Sequence, residues 1–557
     1  MSHTLSDKLR RAALAAAAAC CAVALAACGG GAAAVALVGG GVGTGGTGIA
    51  FGTVIGLGSV IVDGQSYSSA TPIYYAPTST SESAQATSEA VELGARMNLS
   101  LGANDQPATA TVQPELQGTV QAVDLNAGTL TINGMRVVVN ADASRGPQTL
   151  YSGLTGLSSI APGSTQVEVH GAYGVDTTGP FLWATLIEQV PGDSSVTRLV
   201  GRVTAVSASS LTLDTSATPI PLGANTQVLL PAGTSLAPGE LVYAWNNESN
   251  WVLRVVGTGS FTGSVQVSGL AYDVVGTTCT VSGIPVDFSA LGSQAAPVQG
   301  QYVVASGQAD GHGTLKAQQL GGYSSTSPAV FELHGTITGF VSSSSFLVRG
   351  TPVDASGARF LEGSASQLGN GVYVDITGQV STASGNVIAA QTVNVDPAPP
   401  VGSTVDMQGT VQSVNSEGTQ FVLNWQLQNS STPVNVTLAS NRAFNHGDDT
   451  NLVPGTVVAI EGTLTSPTSV DAYTVNFGSG GPAGALSASG RVYQWSQGSS
   501  VTTTSTTAAA SSTFMLEGNQ LTIPAGLVIP AGFGDGADVE VSFSASGNVV
   551  QSLAIDN

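Results

Sequence analysis

A short motif, a glycine followed by alternating β-branched residues, recurs at seven places along this chain of 557 residues. Self-similarity at a roughly fixed period indicates an array of structural repeats, each of which is one supersecondary unit. Successive copies lie about 62 to 83 residues apart, so each unit is a small module. The copies begin at Gly52-Thr53-Val54, Gly118-Thr119-Val120, Gly201-Arg202-Val203, Gly263-Ser264-Val265, Gly335-Thr336-Ile337, Gly409-Thr410-Val411 and Gly490-Arg491-Val492.

Two further landmarks follow in the same order within the modules. The first is an alternating strand that ends in a two-residue turn, as at Asp63-Gly64, Asn133-Gly134 and Arg349-Gly350. A hairpin turn of this length needs positive φ at its centre. The second landmark is a glycine turn before another strand, seen at Gly163, Gly239, Gly300, Gly371 and Gly455.

The composition favours an all-β fold. Apolar residues make up 42% of the chain, and 71 glycines and 25 prolines divide them into short alternating runs. This pattern is typical of many short strands joined by tight turns. A flat sheet of five or six strands would leave its edges open, whereas a small barrel closes them. We therefore predict a tandem array of about seven small OB-like β-barrels without helices, strung so that each packs against the next.

The N-terminal residues predict an export signal and a lipid anchor. Basic residues precede an uninterrupted apolar run from Ala12 to Ala27, which has the length of a signal-peptide core and is too short to predict a membrane span. Leu25-Ala26-Ala27-Cys28 is similar to the bacterial lipobox, in which the cysteine becomes the lipidated first residue. The alternative is an ordinary signal peptide in which Cys28 has no role. The stretch from Gly29 to Gly48 predicts a flexible tether.

The chain resembles an uncharacterised family, of unknown function, of repeated OB-like β-barrel modules in proteobacterial envelope lipoproteins. The resemblance rests on the Cys28 lipobox, the tether, the run from Gly52 to Gly64 and the copy from Gly335 to Gly378. It implies a location in the cell envelope and the barrel architecture, but no chemistry. By similarity to lipoprotein sorting in Gram-negative bacteria, Gly29 in place of an aspartate implies the outer membrane.

Landmarks and resemblance together divide the chain into nine segments. The copies at Gly201, Gly409 and Gly490 depart from this pattern because they lack or displace the hairpin glycine, so the resemblance specifies their folds less closely. The predicted segments are a lipoprotein signal peptide (1–27), the lipidated Cys28 with its tether (28–48), and β modules 1 to 7 (49–113, 114–194, 195–258, 259–325, 326–398, 399–480 and 481–557).

The charge balance restricts the partners. Removing the signal peptide takes away Asp7 and three basic residues, which leaves 34 acidic and 11 basic side chains. Such a surface repels phosphate backbones, so nucleic acid is excluded as a partner. Lys316 is the one remaining lysine, and a polybasic membrane-binding patch is therefore absent from the sequence. The expected partners are the membrane, reached through the lipid on Cys28, and an envelope glycan or protein.

No catalytic residue, metal site or cofactor is predicted. Four histidines follow the signal peptide, and none is paired at a zinc-binding spacing such as H-x-x-x-H. No G-x-S-x-G motif stands between a strand and a helix. His170 and His334 are expected to be satisfied or solvent-facing strand residues beside module glycines. The chain is therefore expected to be non-enzymatic.

Trp245 and Trp251 are the candidate ligand-binding residues. They flank a polar segment and are expected on neighbouring strands of one hairpin, with both rings on the same face. Exposed tryptophan pairs can stack on sugar rings, and some OB barrels bind oligosaccharides; cross-strand aromatic packing is the alternative. The expected function is an envelope scaffold, spacer or binding surface, with glycan or protein binding through barrel loops as the alternative.

Overall fold

The computed structural model describes residues 48–58, 60–67, 73–75, 85–86, 91–102, 107–112, 114–190, 196–216, 218–224, 226–247, 250–396, 399, 401–427, 430–445, 449–477, 485–496, 506–507, 512–516, 519–530, 533–534, 537–544 and 549–555. The predicted signal peptide, Cys28 and nearly all of the tether lie outside these residues. Within them the regular structure is β-strand and single-turn 3₁₀ helix, which confirms the all-β prediction. No helix in this part of the chain is long and apolar enough to span a membrane.

The strands are numbered in chain order and grouped by predicted module. Module 1 contains β1 (Gly48–Leu57), β2 (Val60–Val62), β3 (Gln65–Tyr67), β4 (Ile73–Tyr75), β5 (Gln85–Ala86), β6 (Arg96–Leu101) and β7 (Pro107–Val112). Module 2 contains β8 (Leu116–Asp124), β9 (Thr129–Ile132), β10 (Met135–Val139), β11 (Leu150–Ser152), β12 (Gln166–Asp176) and β13 (Gly179–Val190). Module 3 contains β14 (Thr197–Val206), β15 (Ser210–Leu213), β16 (Ile220–Pro221), β17 (Gln227–Leu229), β18 (Leu241–Asn247) and β19 (Asn250–Val255). Module 4 contains β20 (Ser264–Val275), β21 (Thr278–Val281), β22 (Ile284–Asp287), β23 (Tyr302–Ala309) and β24 (Leu315–Gly322).

The remaining strands belong to modules 5 to 7. Module 5 contains β25 (Phe331–Ser342), β26 (Ser345–Val348), β27 (Thr351–Asp354), β28 (Arg359–Glu362), β29 (Tyr373–Val380) and β30 (Ile388–Asp396). Module 6 contains β31 (Thr404–Val414), β32 (Gln420–Leu427), β33 (Ser430–Asn445), β34 (Val457–Ser466) and β35 (Ser469–Phe477). Module 7 contains β36 (Ala485–Arg491), β37 (Tyr493–Ser496), β38 (Thr506–Thr507), β39 (Ser512–Leu516), β40 (Asn519–Ile523), β41 (Val528–Ile529), β42 (Asp538–Ser544) and β43 (Val550–Ile555). The 3₁₀ helices are Leu157–Ser159, Ser289–Leu291, Ser293–Ala295, Ala365–Gln367 and Asp449–Asn451.

Modules 2, 4, 5 and 6 each close a ring of five strands. In module 5, β25, β26 and β27 form an antiparallel meander, β27 pairs parallel with β30, and β30 and β25 both pair antiparallel with β29. The corresponding strands of modules 2, 4 and 6 pair in the same order. Closure leaves no unpaired edge within the ring, and alternate residues point into its apolar core. The predicted OB-like barrel is confirmed for these modules.

The predicted hairpin turns have the expected backbone geometry. Asp63, Asn133 and Arg349 adopt φ of 47°, 50° and 52°, and the glycine after each also has positive φ. Ser282-Gly283 is a further turn of this kind, with φ of 45° and 82°. Two successive positive φ values define the two-residue turn whose twist matches antiparallel strands.

The second landmark anchors the fourth strand to the first. The N–H of Gly163 donates to the carbonyl of Val120, and the N–H of Gly371 donates to the carbonyl of Ile337, each at 2.8 Å. In both modules the accepting residue is the third residue of the opening motif. Gly239 and Gly455 make the same bond to Val203 and Val411.

This bond corrects the position of the opening motif in module 4. Gly300 donates to the carbonyl of Ala271, so the residue equivalent to the other opening glycines is Gly269, and the expectation that Gly263 opens this module is wrong. A Cβ on Gly269 would lie 2.3 Å from Ser282 Oγ in the hairpin turn, which explains the need for glycine there. Gly263 precedes β20 and shares the sequence pattern alone.

Module 3 departs from the ring, whereas module 6, whose copy at Gly409 also departs from the family pattern in sequence, closes it. The short third strand of module 3, β16, pairs with β15, but among the described residues it makes no ladder with β19, which pairs with β17 instead. Pro221 ends β16 and has no N–H to donate to a ladder. In module 7 the first strand is split, so that β36 pairs with β42 and β37 pairs with β39.

The barrels are linked through their first strands. β1 pairs parallel with β20 of module 4 and with β25 of module 5, and β8 pairs with β14 at Gln117 and Arg198. One apolar cluster runs through modules 2, 3 and 4 and includes Phe51 of module 1. Module 1 packs against its successor, module 2, as expected. The ladders of β1 with β20 and β25 add contacts with modules 4 and 5, because β1 offers a ladder edge to them.

Candidate functional site

The two candidate tryptophans do not form a shared surface. Trp245 pairs with Val252, and Trp251 pairs with Asn246, so the two rings point to opposite faces of the hairpin because side chains alternate along a strand. Trp245 is 1% exposed and lies in the core, whereas Trp251 packs partly buried against it. The predicted same-face pair is wrong, and Trp245 cannot stack on a sugar. Cys28, the predicted lipidation site, lies outside the described residues.

A buried polar cluster centred on Arg96 joins modules 1, 2 and 4. Arg96 lies on β6 and is 0% exposed. Its Nη1 donates to Thr53 Oγ1 and Ser268 Oγ at 3.2 Å each, and its Nη2 donates to the Ser268 carbonyl at 3.0 Å and to Ser282 Oγ at 3.1 Å. The ring of Phe51 covers the guanidinium at 4.5 Å. The hydrogen bonds and this cation–π contact compensate for part of the lost hydration.

Asp63 supplies negative charge to the cluster. Its carboxylate accepts hydrogen bonds from the Thr53 N–H at 2.8 Å, from Ser268 Oγ, and from Tyr302 Oη at 3.3 Å. Burial raises the pKa of Asp63, while the charge of Arg96 and the hydrogen bonds act in the opposite direction. The same residue is the first position of a hairpin turn, so a local turn residue also serves the contact between modules.

Modules 1 and 4 contribute matching positions to this contact. Val54 and Ala271 are the third residues of their opening motifs. The N–H of Val54 donates to the carbonyl of the residue before Arg96, and the N–H of Ala271 donates to the carbonyl of the residue before Tyr302. Asp63 and Ser282 are likewise the first residues of the corresponding hairpin turns. Arg96 bonds to Ser282, and Tyr302 bonds to Asp63. The two barrels therefore dock through the same face of the shared fold, in a roughly reciprocal way.

Glu115 extends the cluster into module 2. It is buried, its Oε2 accepts the N–H of Gly171 at 2.8 Å, and its Oε1 lies 3.7 Å from Arg96 Nε. Burial raises the pKa of Glu115 to about 8, against the opposing charge of Arg96. This carboxyl group is consequently held largely in its neutral form at neutral pH.

A second polar group lies where modules 1 and 5 meet. His334 Nδ1 is 2.7 Å from Asp375 Oδ1, and His334 Nε2 is 3.5 Å from Glu332 Oε2. Burial opposes protonation, but the two carboxylates raise the pKa of His334 to about 9. The carbonyl of His334 also faces Gly58, where a Cβ would lie 2.4 Å away. With both ring nitrogens beside carboxylates, His334 is an imidazolium in an ion triplet.

Glu168, His170 and Glu188 are the group of described residues with the donor chemistry for a metal ion. One donor atom from each lies within 4.8 Å of the others, and all three side chains are buried. His170 is on β12 beside Gly171, as the sequence predicted. The sequence missed the group because Glu188 comes from β13, although the alternation Glu168-Val169-His170 places two of the donors on one strand face. Arg96 could have been noticed as a charge within an apolar alternating strand.

Two segments match a family model described as "Domain of unknown function (DUF5666)": residues 117–188 and residues 334–393. They run from the first to the last strand of the closed five-stranded rings of modules 2 and 5. No curated protein matches the chain. The expected resemblance to an uncharacterised repeated-domain family is thereby confirmed: the chain is an all-β repeat protein in which two segments are similar to one domain of unknown function.

Proposed function

We propose that this protein is a non-enzymatic scaffold of the cell envelope, anchored to a membrane by a lipid on Cys28. The proposal takes the anchor from the lipobox-like Leu25-Ala26-Ala27-Cys28 and its export signal. Gly29 after the lipidated residue supports the outer membrane of a Gram-negative bacterium as the location. The tether between Gly29 and Gly48 would set the distance between the barrels and the bilayer.

The observation that carries the scaffold role is how the buried charges of the barrels are used. Arg96 bonds across modules 1 and 4, and Glu115 of module 2 lies beside it. Arg349 likewise forms an ion pair with Glu461 of module 6. Polar and charged side chains that hold neighbouring barrels together support a scaffold or spacer role.

Fractionation and fatty-acid labelling of cells test the anchor. The wild-type chain should incorporate radiolabelled palmitate and sediment with membranes, whereas Cys28→Ser should remain unlabelled and soluble. Cys279→Ser is the matched control, because Cys279 is buried within module 4, and it should be labelled like the wild type. Label or membrane association retained by Cys28→Ser would contradict the proposal.

A binding role for the barrel loops is the second candidate. Leu125 and Val275, which are 62% and 72% exposed, stand at the end of the first strand in modules 2 and 4. Exposed apolar residues at the same end of two barrels are suited to contact a protein partner. Crosslinking in cells should capture an envelope protein with the wild type and lose it with Leu125→Ser and Val275→Ser together, while the matched Val453→Ser, also exposed, should keep it.

A further inference from the structure

Three donor side chains converge on the outer face of the module 2 barrel. Glu168 and Glu188 are directly opposite each other on the antiparallel strands β12 and β13. His170 is two residues after Glu168 and therefore lies on the same face. Val167 and Val169, which alternate with Glu168 and His170 along β12, belong to the apolar core. The three donors therefore face away from that core. Neighbouring modules cover them, and all three are buried.

One carboxylate of this group, that of Glu168, has a buried oxygen without a hydrogen bond. Like charges directly opposite each other on two strands repel, and a carboxylate removed from water is costly unless it is paired. Glu168 Oε1 is fully buried and accepts no hydrogen bond. It lies 3.9 Å from His170 Nε2. A buried acidic oxygen without a hydrogen bond, close to an imidazole nitrogen and a second carboxylate, is suited to bind a cation.

We propose that Glu168, His170 and Glu188 bind one divalent transition-metal ion, for which Zn²⁺ is the representative. Zn²⁺ takes imidazole nitrogen and carboxylate oxygen at about 2.0–2.2 Å, and imidazole selects such ions over Mg²⁺ and Ca²⁺. Donor atoms within 4.8 Å of one another need small side-chain rotations to reach one ion. The two carboxylates neutralise the dication, and three protein ligands leave a coordination position for water.

The hydrogen bond at the other side of the ring links the metal site to module 1. The N–H of Arg96 donates to His170 Nδ1 at 3.2 Å, so the neutral ring carries its proton on Nε2. When Nε2 binds the ion, that proton moves to Nδ1, and the Arg96 N–H loses its acceptor. No proton leaves the ring. Metal binding therefore weakens the hydrogen bond from the Arg96 N–H, and that hydrogen bond weakens metal binding by the same free energy.

The chain contains a matched control with the same Glu-x-His pattern. Glu332 and His334 are also two residues apart on one strand, but His334 contacts Asp375 and Glu332 through its two ring nitrogens. That ring has no lone pair to offer an ion. His334→Asn therefore controls for the loss of a strand histidine, and Glu332→Gln controls for the loss of a neighbouring carboxylate.

The test is calorimetric titration of the full-length, detergent-solubilised chain with ZnCl₂ after treatment with a chelator. We expect one Zn²⁺ per chain with a dissociation constant in the micromolar range or below, and no comparable binding of MgCl₂. Glu168→Gln and His170→Asn should each weaken binding at least tenfold. His334→Asn and Glu332→Gln should bind like the wild type. Thermal melts of the metal-free variants establish that each one is folded.

Two results would overturn the site: a folded wild type that takes up no Zn²⁺, or folded Glu168→Gln and His170→Asn variants that bind as well as the wild type. Amide hydrogen exchange gives an independent readout. Saturating Zn²⁺ should make the Arg96 amide exchange faster, because its acceptor is lost, while the Tyr302 amide remains unchanged. Equal Arg96 protection with and without Zn²⁺ would overturn coordination through Nε2.

Discussion

The Arg96 junction joins module 1 to modules 2 and 4. The His334 junction is an ion triplet within module 5, beside Gly58 of module 1, and the two differ in their access to water. Arg96 is completely buried and bonds to four polar groups from two modules and a backbone carbonyl. The His334 side chain keeps 32% of its surface exposed, and its partners Glu332 and Asp375 keep 24% and 37%. A cation with two acidic side chains nearby is thus found in two different environments.

The difference determines how much each contact is worth. A buried charge that loses its partner is stranded in a medium that solvates it poorly, so deletion of one partner is costly. A partly exposed ion pair is screened by water, and its loss costs little. The Arg96 junction should therefore control the integrity of the protein, and the His334 junction should adjust it with pH.

Replacement of Arg96 should have the largest effect. Arg96→Met keeps most of the side-chain volume but leaves the Asp63 carboxylate buried without its cation, and we expect a loss of about 3–5 kcal/mol in the free energy of unfolding. Urea unfolding followed by tryptophan fluorescence measures it. Arg136→Met, which removes a more exposed pair with Asp176, is the control and should cost less than about 1 kcal/mol. Equal losses of stability in the two variants would show that burial does not determine the cost of removing an arginine.

Adding a side chain at Gly58 should have the second-largest effect. A Cβ there would lie 2.4 Å from the His334 carbonyl oxygen, and the residue has φ of 120°. Gly58→Ala should cost about 2–3 kcal/mol by the same measurement. Gly64→Ala has φ of 86° but open space around the Cβ, so it should cost roughly 1 kcal/mol. If the two variants were equally stable, the contact between β1 and module 5 would not be tight.

The pH dependence of stability should change at Glu115. The pKa of Glu115 is about 8 in the folded chain against 4.5 for the free side chain. Between these values the folded state holds a proton that the unfolded state has lost, so stability falls as pH rises from about 5 to 8, by up to about 1.4 kcal/mol per pH unit for one proton.

Glu115→Gln should remove that part of the slope, as measured by urea unfolding at pH 5, 6, 7 and 8. Asp142→Asn is the control, because this exposed carboxyl has a pKa below its usual value through its hydrogen bonds to Ser144 and does not titrate in this range. Parallel curves for wild type and Glu115→Gln would exclude a protonated Glu115.

The smallest effect is expected at His334. Its pKa is raised from 6.5 to about 9, so the ion triplet contributes stability that is fully present below pH 6.5 and is lost as pH rises through about 9. His334→Asn should flatten the curve between pH 6.5 and 9 and leave it unchanged below pH 6. His312→Asn, at an exposed site, should follow the wild type. An unchanged slope in His334→Asn would place the titration elsewhere.

The repeat could be predicted because its signals are local. Asp63-Gly64 and Asn133-Gly134 specify a turn with two positive φ values, whatever surrounds them. Gly163 and Gly371 precede a strand and make the same hydrogen bond in their modules. Module 4 shows the limit of such patterns, since Gly263-Ser264-Val265 satisfies the motif while Gly269 has the structural role.

The candidate sites could not be predicted because they are assembled from distant parts of the chain. Trp245 and Trp251 are close in sequence, and one residue of register put their rings on opposite faces. Glu188 reaches Glu168 and His170 because β13 folds back along β12. Ser268 and Tyr302 reach Arg96 from a module some 200 residues away.

The amino-acid sequence by itself determined the all-β class, the repeat and its turns, because backbone sterics and the alternation of apolar residues act over a few neighbouring positions. Tertiary structure decided which barrels share a ladder, which charges are buried between them, and which donors meet at Glu168. Those outcomes depend on the competition between desolvation and pairing at contacts between modules. The two surfaces that meet at a contact determine that balance, and they come from parts of the chain that are distant in sequence.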